Sequence, residues 1–268
     1  MSNFFQAGAY HLPLGQRTYI MGILNVTPDS FSDGGKFNDP GAAYERALAM
    51  QEQGADMIDI GGQSTRPGYT PVEWEQEWSR LEPVLAKICR ALRVPVSVDT
   101  FYPQVAQRAL EQGVSIINDV KGFADAKMFE LTAKYNCGAV IMHDGPGVSS
   151  IRPFFEQRLR QAAAYGVRPE QVCFDPGVGF GKTYEENLEV LRCLRSLCVP
   201  GCGMLVGASR KRVVGRPCGD PPFEQRLPGT LAAHTLAIAG GADIIRVHDV
   251  AESVQAARVA DAVLYTTK

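Results

Sequence analysis

Eight times along this 268-residue chain a short apolar run is followed by a stretch of polar and apolar residues at helical spacing. That alternation restricts the fold more than any other feature. The runs are Tyr19–Leu24, Met57–Ile60, Val96–Val98, Ser115–Ile117, Ala139–Met142, Val172–Phe174, Met204–Val206 and Asp243–Val247. Helical periods fill the gaps, as in Gly41–Gln53, Tyr102–Gln112, Tyr184–Leu197 and Glu252–Val263. Strands that read as continuous apolar runs are buried on both faces, which is the pattern of a parallel sheet covered by helices. Eight such units favour an α/β fold of the closed (β/α)8 TIM-barrel type, with an open doubly wound sheet as the competing arrangement. Glycine follows several of the helices (Gln53-Gly54, Gln112-Gly113, Ala239-Gly240-Gly241), where a residue without a β-carbon enters the left-handed cap at little cost. The leading segment, Tyr10–Leu14, Gly15-Gln16 and Arg17–Met21, reads as an N-terminal β-hairpin closing the barrel bottom. No linker or low-complexity tract interrupts the pattern, so a single domain over residues 1–268 is expected.

The formal net charge of -2 gives no electrostatic reason to expect nucleic acid or an anionic membrane as partner. No apolar run approaches the ~20 residues that span a bilayer. Met1-Ser-Asn-Phe-Phe-Gln lacks the basic and then apolar pattern of a secretory leader, so a cytoplasmic protein is expected. The cysteines at 89, 137, 173, 193, 198, 202 and 218 form no Cys-x-x-Cys pair and lack histidines at finger-like spacing. They read as reduced, mostly buried apolar residues rather than zinc ligands.

In a barrel of this kind the active site forms where the strands end, at the C-terminal rim. The residues that follow the eight runs are Asn25; Gly61-Gly62-Gln63-Ser64-Thr65-Arg66; Asp99; Asn118-Asp119; His143; Asp175; Ser209-Arg210-Lys211; and Arg246 with His248. Every strand therefore delivers a hydrogen-bonding or ionisable group. Asp99, Asn118, Asp175 and Lys211 suit a flat heterocycle with several donors and acceptors. Asn25, Thr65, Arg66, Ser209, Arg246 and His248 suit phosphate oxygens. Asn25 and the acids of the following loop, Asp29 and Asp33, are hard oxygen donors of the kind that bind Mg2+ beside phosphate.

Several of these residues have a structural alternative. Asp119 is as readily a cap or loop brace as a ligand, and Asp39 and Asp249 read as caps. His143 reads first as a hydrogen-bonded histidine at the rim of the core, His11 and His234 as structural, and Trp74 and Trp78 as packing anchors on one helix face. Arg210 is expected to pair with a neighbouring acid while Lys211 faces the site. Gly177-Val-Gly-Phe-Gly181-Lys-Thr183 looks like a nucleotide phosphate loop, but Pro176 stands where that pattern requires glycine. It reads as a glycine-rich turn that brings Phe180 close to a ligand.

Taken together, the blocks Gly22-Ile-Leu-Asn-Val-Thr-Pro-Asp-Ser-Phe-Ser-Asp-Gly-Gly35, Ile58-Asp-Ile-Gly-Gly-Gln-Ser-Thr-Arg-Pro-Gly68, Val96-Ser-Val-Asp-Thr100, Ile117-Asn-Asp-Val120, Asp175–Thr183, Gly207-Ala-Ser-Arg-Lys211 and Arg246-Val-His-Asp-Val250 closely resemble the bacterial dihydropteroate synthases. The resemblance runs from about Tyr19 to the last helix. It implies condensation of 6-hydroxymethyl-7,8-dihydropterin pyrophosphate with p-aminobenzoate, with release of pyrophosphate, and it implies Mg2+ as cofactor and a homodimer. It places the pterin on Asp99, Asn118, Met142, Asp175, Phe180, Gly207, Lys211 and Arg246, with Asp99, Asp175, Lys211 and Arg246 carrying the catalysis. Pyrophosphate falls to Asn25, Thr65, Arg66, Arg246 and His248, p-aminobenzoate to Phe31, Thr65, Pro67, Ser209 and Lys211, and the metal to Asn25 and Asp33.

The sequence departs from the family pattern at four places. Gln63 replaces a usual glutamate, Lys121 and Arg212 replace smaller or hydroxyl residues, and the segment from His143 to Asp175 is short, with Asp144-Gly-Pro-Gly147 after the fifth run. These departures leave room for two alternatives, a pterin-binding paralogue without synthase activity and a pterin-dependent methyltransferase on a similar barrel.

Overall fold

Strands β3 (Tyr19–Asn25), β4 (Met57–Gly61), β5 (Val96–Asp99), β6 (Ile116–Asp119), β7 (Gly138–Met142), β8 (Val172–Asp175), β9 (Gly203–Val206) and β10 (Ile244–Val247) pair in parallel and in chain order, and β10 closes onto β3. The closed barrel settles the choice against an open sheet. It comes from a computed structural model that describes residues 3–27, 40–63 and 70–265. Around it lie α1 (Pro40–Glu52), α2 (Trp74–Ala91), α3 (Pro103–Glu111), α4 (Lys127–Tyr135), α5 (Ile151–Ala164), α6 (Tyr184–Leu197), the short α7 (Arg212–Gly215), α8 (Leu227–Ala239) and α9 (Val250–Tyr265). Among the described residues no helix is long and apolar enough to cross a membrane.

Two separate apolar clusters hold this together, and strand periodicity explains why there are two. Ile58, Ile60, Val96, Val98, Ile117, Ile141 and Phe174 point outward and join the helices in the larger one. Met21, Met57, Ile116, Val140, Cys173, Leu205 and Ile244 point into the lumen and form the smaller one at the barrel bottom. Trp78 is buried in the outer cluster with Trp74 packed against it, and the Arg108 guanidinium lies 4.7 Å from the Trp74 ring and 5.7 Å from the Trp78 ring. Both tryptophans are packing anchors.

The hairpin exists but one repeat earlier than the sequence suggests. Its strands are β1 (Phe4–Ala7) and β2 (Tyr10–Pro13), antiparallel about Gly8-Ala9, whereas Arg17–Met21 leads into barrel strand β3. The sequence rule failed because Gly15 marks a turn after the hairpin rather than within it; Gly8, with φ of 62°, makes the real one. Phe5, Ala7 and Leu14 pack directly on the lumenal cluster. Gly138 opens β7 because Phe5 passes so near that a β-carbon there would stand 2.7 Å from its ring. His11 stacks on Phe4 within the hairpin, a structural role as expected.

Phe5 has no exposed surface and plugs the floor. Phe5→Ala should destabilise the protein by about 3–5 kcal/mol, read as a lowered urea midpoint. A loss below about 1 kcal/mol would mean that the hairpin is not part of the core.

Candidate functional site

The residue two places beyond each lumenal core residue also points inward, one layer higher. Met57, Ile116, Val140, Cys173, Leu205 and Ile244 thus set the directions of Asp59, Asn118, Met142, Asp175, Gly207 and Arg246. Asp99 follows the inward, buried Ser97 in the same way. Ladder register aligns Asn25 with Gly61, Gly61 with Asp99, and Asp99 with Asn118, so these side chains share one rim. Several expected strand ends were one residue short, because an apolar run stops at the first polar residue while the ladder continues through it. Asn25, Asp99, Asn118 and Asp175 are therefore held by the sheet itself.

On one side of the bowl, Arg246 donates from Nε to Asp59 Oδ2 at 2.6 Å and from Nη2 to Asp99 Oδ2 at 2.8 Å. Asn118 donates its amide N–H to the same Asp59 Oδ2 at 2.9 Å. Sequence reading missed Asp59. Its signal was the period-2 step from Met57, which turns an acid inside an apolar strand toward the lumen. Asp59 Oδ1 and Asp99 Oδ1 are buried and have no hydrogen-bond partner among the described residues. An acceptor left this way costs about 1–3 kcal/mol until a donor reaches it. Burial raises the Asp99 carboxyl above its ordinary range, against the pull of Arg246, with Asp59 and Asp119 adding to the rise.

Across the bowl, Lys211 Nζ donates to the Val178 carbonyl at 2.6 Å and lies 4.5 Å from the Phe180 ring centroid. Burial lowers the Lys211 ammonium to about 8, opposed by Asp175. Asp175 is raised by burial, opposed by Lys211 and by the Gly177 N–H, which donates to it at 2.7 Å. Met142 is buried at the end of β7, and a β-carbon on Gly207 would come within 3.9 Å of Lys211 Nζ.

At the rim the Ser209 hydroxyl and His248 Nδ1 are hydrogen-bonded at 2.8 Å, with the His248 backbone N–H donating to Ser209 Oγ at 3.2 Å. Asn25 Oδ1 faces Gly61, 3.4 Å from where a β-carbon on that glycine would stand. Phe31, Asp33, Thr65, Arg66 and Pro67, together with Asp29 and Asp39, lie outside the described residues.

The alternatives also resolve. Arg210 forks onto Asp249, with Nε at 2.9 Å from Oδ2, so Asp249 serves an ion pair and Arg210 turns from the site as expected. Asp119 accepts from the N–H groups of Lys121 and Phe123 at 2.6 and 2.8 Å, which braces the turn after β6. His143 Nε2 is hydrogen-bonded to Ser150 Oγ at 3.0 Å, and burial lowers its imidazole to about 4, so it is neutral and structural. His234 accepts from the Ala208 N–H at 3.1 Å. Lys121 is exposed and pairs with Asp144, and Arg212 is exposed at the start of α7, so neither departure reaches the bowl.

Gln63 does reach something. Its amide donates to Glu77 Oε2 at 2.5 Å, and its carbonyl accepts from the Val72 N–H at 3.4 Å. Glu77, on α2, was not legible in the sequence: an acid in a first helical turn ordinarily reads as a solvated partner of the helix dipole. Here it has no exposed surface, and Gly62 lacks a side chain because a β-carbon there would stand 2.9 Å from Glu77 Cγ. Burial raises this carboxyl to about 7.

The fold and the bowl define an enzyme that binds a flat, charged-edge heterocycle at a barrel mouth. The family of pterin binding enzymes matches residues 21–248 of this chain. A dihydropteroate synthase of Clostridium beijerinckii is 43% identical over 265 residues, covering 96% of this chain and 98% of the relative. A Clostridium difficile dihydropteroate synthase structure, solved in the presence of pteroic acid, is 46% identical with a TM-score of 0.89, covering 94% of this chain and 99% of that one. The Xanthomonas albilineans dihydropteroate synthase structure with 4-aminobenzoic acid is 40% identical with a TM-score of 0.93, covering 100% of both chains. The chain belongs to the dihydropteroate synthase family of pterin-binding enzymes.

Between the model-peptide carboxyl value of 4.5 and about 7, folded Glu77 binds more proton than the unfolded chain does. Its contribution to stability therefore falls as pH rises through that window. Gln63→Glu would set a second carboxyl against it. The expected destabilisation relative to the parent is small at pH 6 and about 1–3 kcal/mol at pH 8, read by urea denaturation. Equal losses at both pH values would mean that the two side chains are not coupled.

Proposed function

We propose that this chain is a dihydropteroate synthase, joining 6-hydroxymethyl-7,8-dihydropterin pyrophosphate to p-aminobenzoate to give 7,8-dihydropteroate and pyrophosphate. The observation that carries this reading is the convergence of Asp99, Asn118, Asp175, Lys211 and Arg246 in one bowl, with a buried Asp99 oxygen that has no donor among the described residues. A pterin edge rich in N–H groups complements those acceptors, and Lys211 supplies a donor to a ring acceptor. Asn118, Met142, Phe180 and Gly207 shape the slot for the ring, and Arg246 flanks it.

Breaking the bond between the methylene carbon and the departing pyrophosphate oxygen leaves positive charge on the pterin. Asp99 and Asp175 stabilise that charge from fixed positions, and one preorganised group of this kind is worth about 3 kcal/mol. Arg246 and His248, together with Thr65 and Arg66, are assigned to the departing oxygens from the family likeness. The p-aminobenzoate nitrogen then forms its bond to the methylene carbon and releases a proton. Ser209 and Lys211, with Phe31, Thr65 and Pro67, are assigned to p-aminobenzoate by the same likeness. No covalent intermediate with the enzyme is required.

Mg2+ is proposed as cofactor. Asn25 Oδ1 at the rim is a hard donor, Asp33 is its proposed companion, and a diphosphate completes the oxygen set that this ion prefers. Bound there, the ion supplies neutralisation of the leaving group's charge. A homodimer is also proposed: of the large apolar side chains most exposed among the described residues, Leu236, Val259, Val263 and Leu264 are all on the packed pair α8 and α9. Sedimentation showing a monomer at micromolar concentration would overturn it. Seven free cysteines support a reducing, cytoplasmic setting.

Steady-state assay with both substrates should show pyrophosphate release that is lost on chelation and restored by Mg2+. Asp175→Asn, Lys211→Ala and Arg246→Ala should each lower kcat/KM by about 10- to 100-fold or more. Tight pterin binding without turnover would instead identify a binding paralogue, and near-normal turnover in all three variants would mean that the site lies elsewhere.

A further inference from the structure

The turn between β8 and α6 carries the motif that resembled a phosphate loop, and its lysine is not the one in the bowl. Lys182 Nζ donates to three backbone carbonyls, those of His143 at 3.1 Å, Gly177 at 3.3 Å and Phe180 at 3.2 Å. An ammonium has three N–H donors, so all of them are committed to main chain. Among the described residues no carboxylate lies within ion-pair distance of it. The Val178 carbonyl, next along the chain from that of Gly177, goes the other way: it accepts from Lys211, and Phe180 presents its ring to the same ammonium. The turn is thus held between two lysines, one behind it and one in the bowl.

Other contacts fix the geometry but leave that partition to Lys182. Gly177 and Gly179 have φ of 70° and 85°, and a β-carbon on Gly177 would collide with the His143 carbonyl. Asn187 accepts from the Gly179 N–H at 2.6 Å and donates to the Lys182 and Thr183 carbonyls. The Phe180 N–H donates to the Gly177 carbonyl at 3.0 Å and holds it in part, but three carbonyl oxygens converging on one point repel one another, so without a cation there the Phe180 carbonyl is free to turn away.

We infer that Lys182 is a positioning residue for the pterin site: it holds the carbonyls of the Gly177–Phe180 turn in the one orientation that offers Val178 O and the Phe180 ring to Lys211. The inference rests on the synthase reading of the bowl. Lys182 also acts at a distance. The charged groups acting on Lys211 are Asp175 and Asp99, which favour its ammonium form, and Arg246 and Lys182, which oppose it, with neutral His234 nearby.

The test is calorimetric titration of the pterin pyrophosphate, without p-aminobenzoate, into the full-length protein and Lys182→Met across pH 6 to 10. Lys182→Gln takes its place if that variant does not fold. The expected result is about tenfold weaker binding at neutral pH, from loss of the turn's anchor. The alkaline limb, where Lys211 loses its proton, should also move to lower pH, because the Val178 carbonyl at 2.6 Å and the Phe180 ring, which favour its ammonium, are no longer held against it. Losing these direct contacts outweighs removal of the more distant Lys182 charge. The ligand's own titration is common to both proteins. A merely structural role would lower the melting temperature or the binding stoichiometry and leave that limb in place. Affinity within twofold of the parent would overturn the inference, as would weakened binding with an unmoved limb. Failure of the parent itself to bind the pterin would instead sink the synthase reading.

Discussion

Closure of eight parallel strands into a ring is the constraint on which the rest depends. Once the ring is closed, every second side chain has to point into a lumen only a few side chains wide, and what fills the lower layer dictates where the upper layer aims. The apolar layer of Met21, Met57, Ile116, Val140, Cys173, Leu205 and Ile244 supplies the floor. The next step up each strand has no partner left but its neighbours across the ring. That is where the carboxylates and cations stand, and it is why groups distant in sequence, such as Asp59 and Arg246, meet at 2.6 Å.

The charges in that layer are balanced unevenly. Among the described residues three acids, Asp59, Asp99 and Asp175, face two cations, Arg246 and Lys211, in a region screened from water. Arg246 satisfies one oxygen each of Asp59 and Asp99, and among the described residues the other oxygen of each has no donor. The arrangement suits a reaction in which positive charge develops on the bound ring, because its acids are fixed in place before the ring arrives and a developing cation beside them favours their ionised form. It is poorly suited to maximising the stability of the empty barrel. Strain of this sort belongs where a ligand will relieve it.

Most of the architecture and most of the bowl were legible in the chain itself. Apolar runs with helical gaps gave the barrel, and the polar residues at the run ends gave Asn25, Asp99, Asn118, Asp175 and Lys211. What stayed hidden shares one physical character: it was set by contacts across the fold rather than by local pattern. Asp59 sits inside a run that composition alone marks as core, and only its parity with Met57 turns it toward Arg246. Glu77 sits in a helix turn where acids are commonplace, and only the approach of α2 to Gly62 and Gln63 encloses it. The hairpin slipped by one repeat because Gly8 and Gly15 are equally good turn formers, and the choice between them was made by the fit of Phe5 beneath Gly138.

The plugged floor has a consequence for traffic. A lumen sealed by Phe5, Ala7 and Leu14 is a cup rather than a tube, so molecules enter and depart by the same lip. The deepest guest, lying against Asp59 and Asn118, is then covered by whatever follows it. Everything that reaches the depth of such a vessel has to pass the rim, where His248 and Ser209 are hydrogen-bonded to each other.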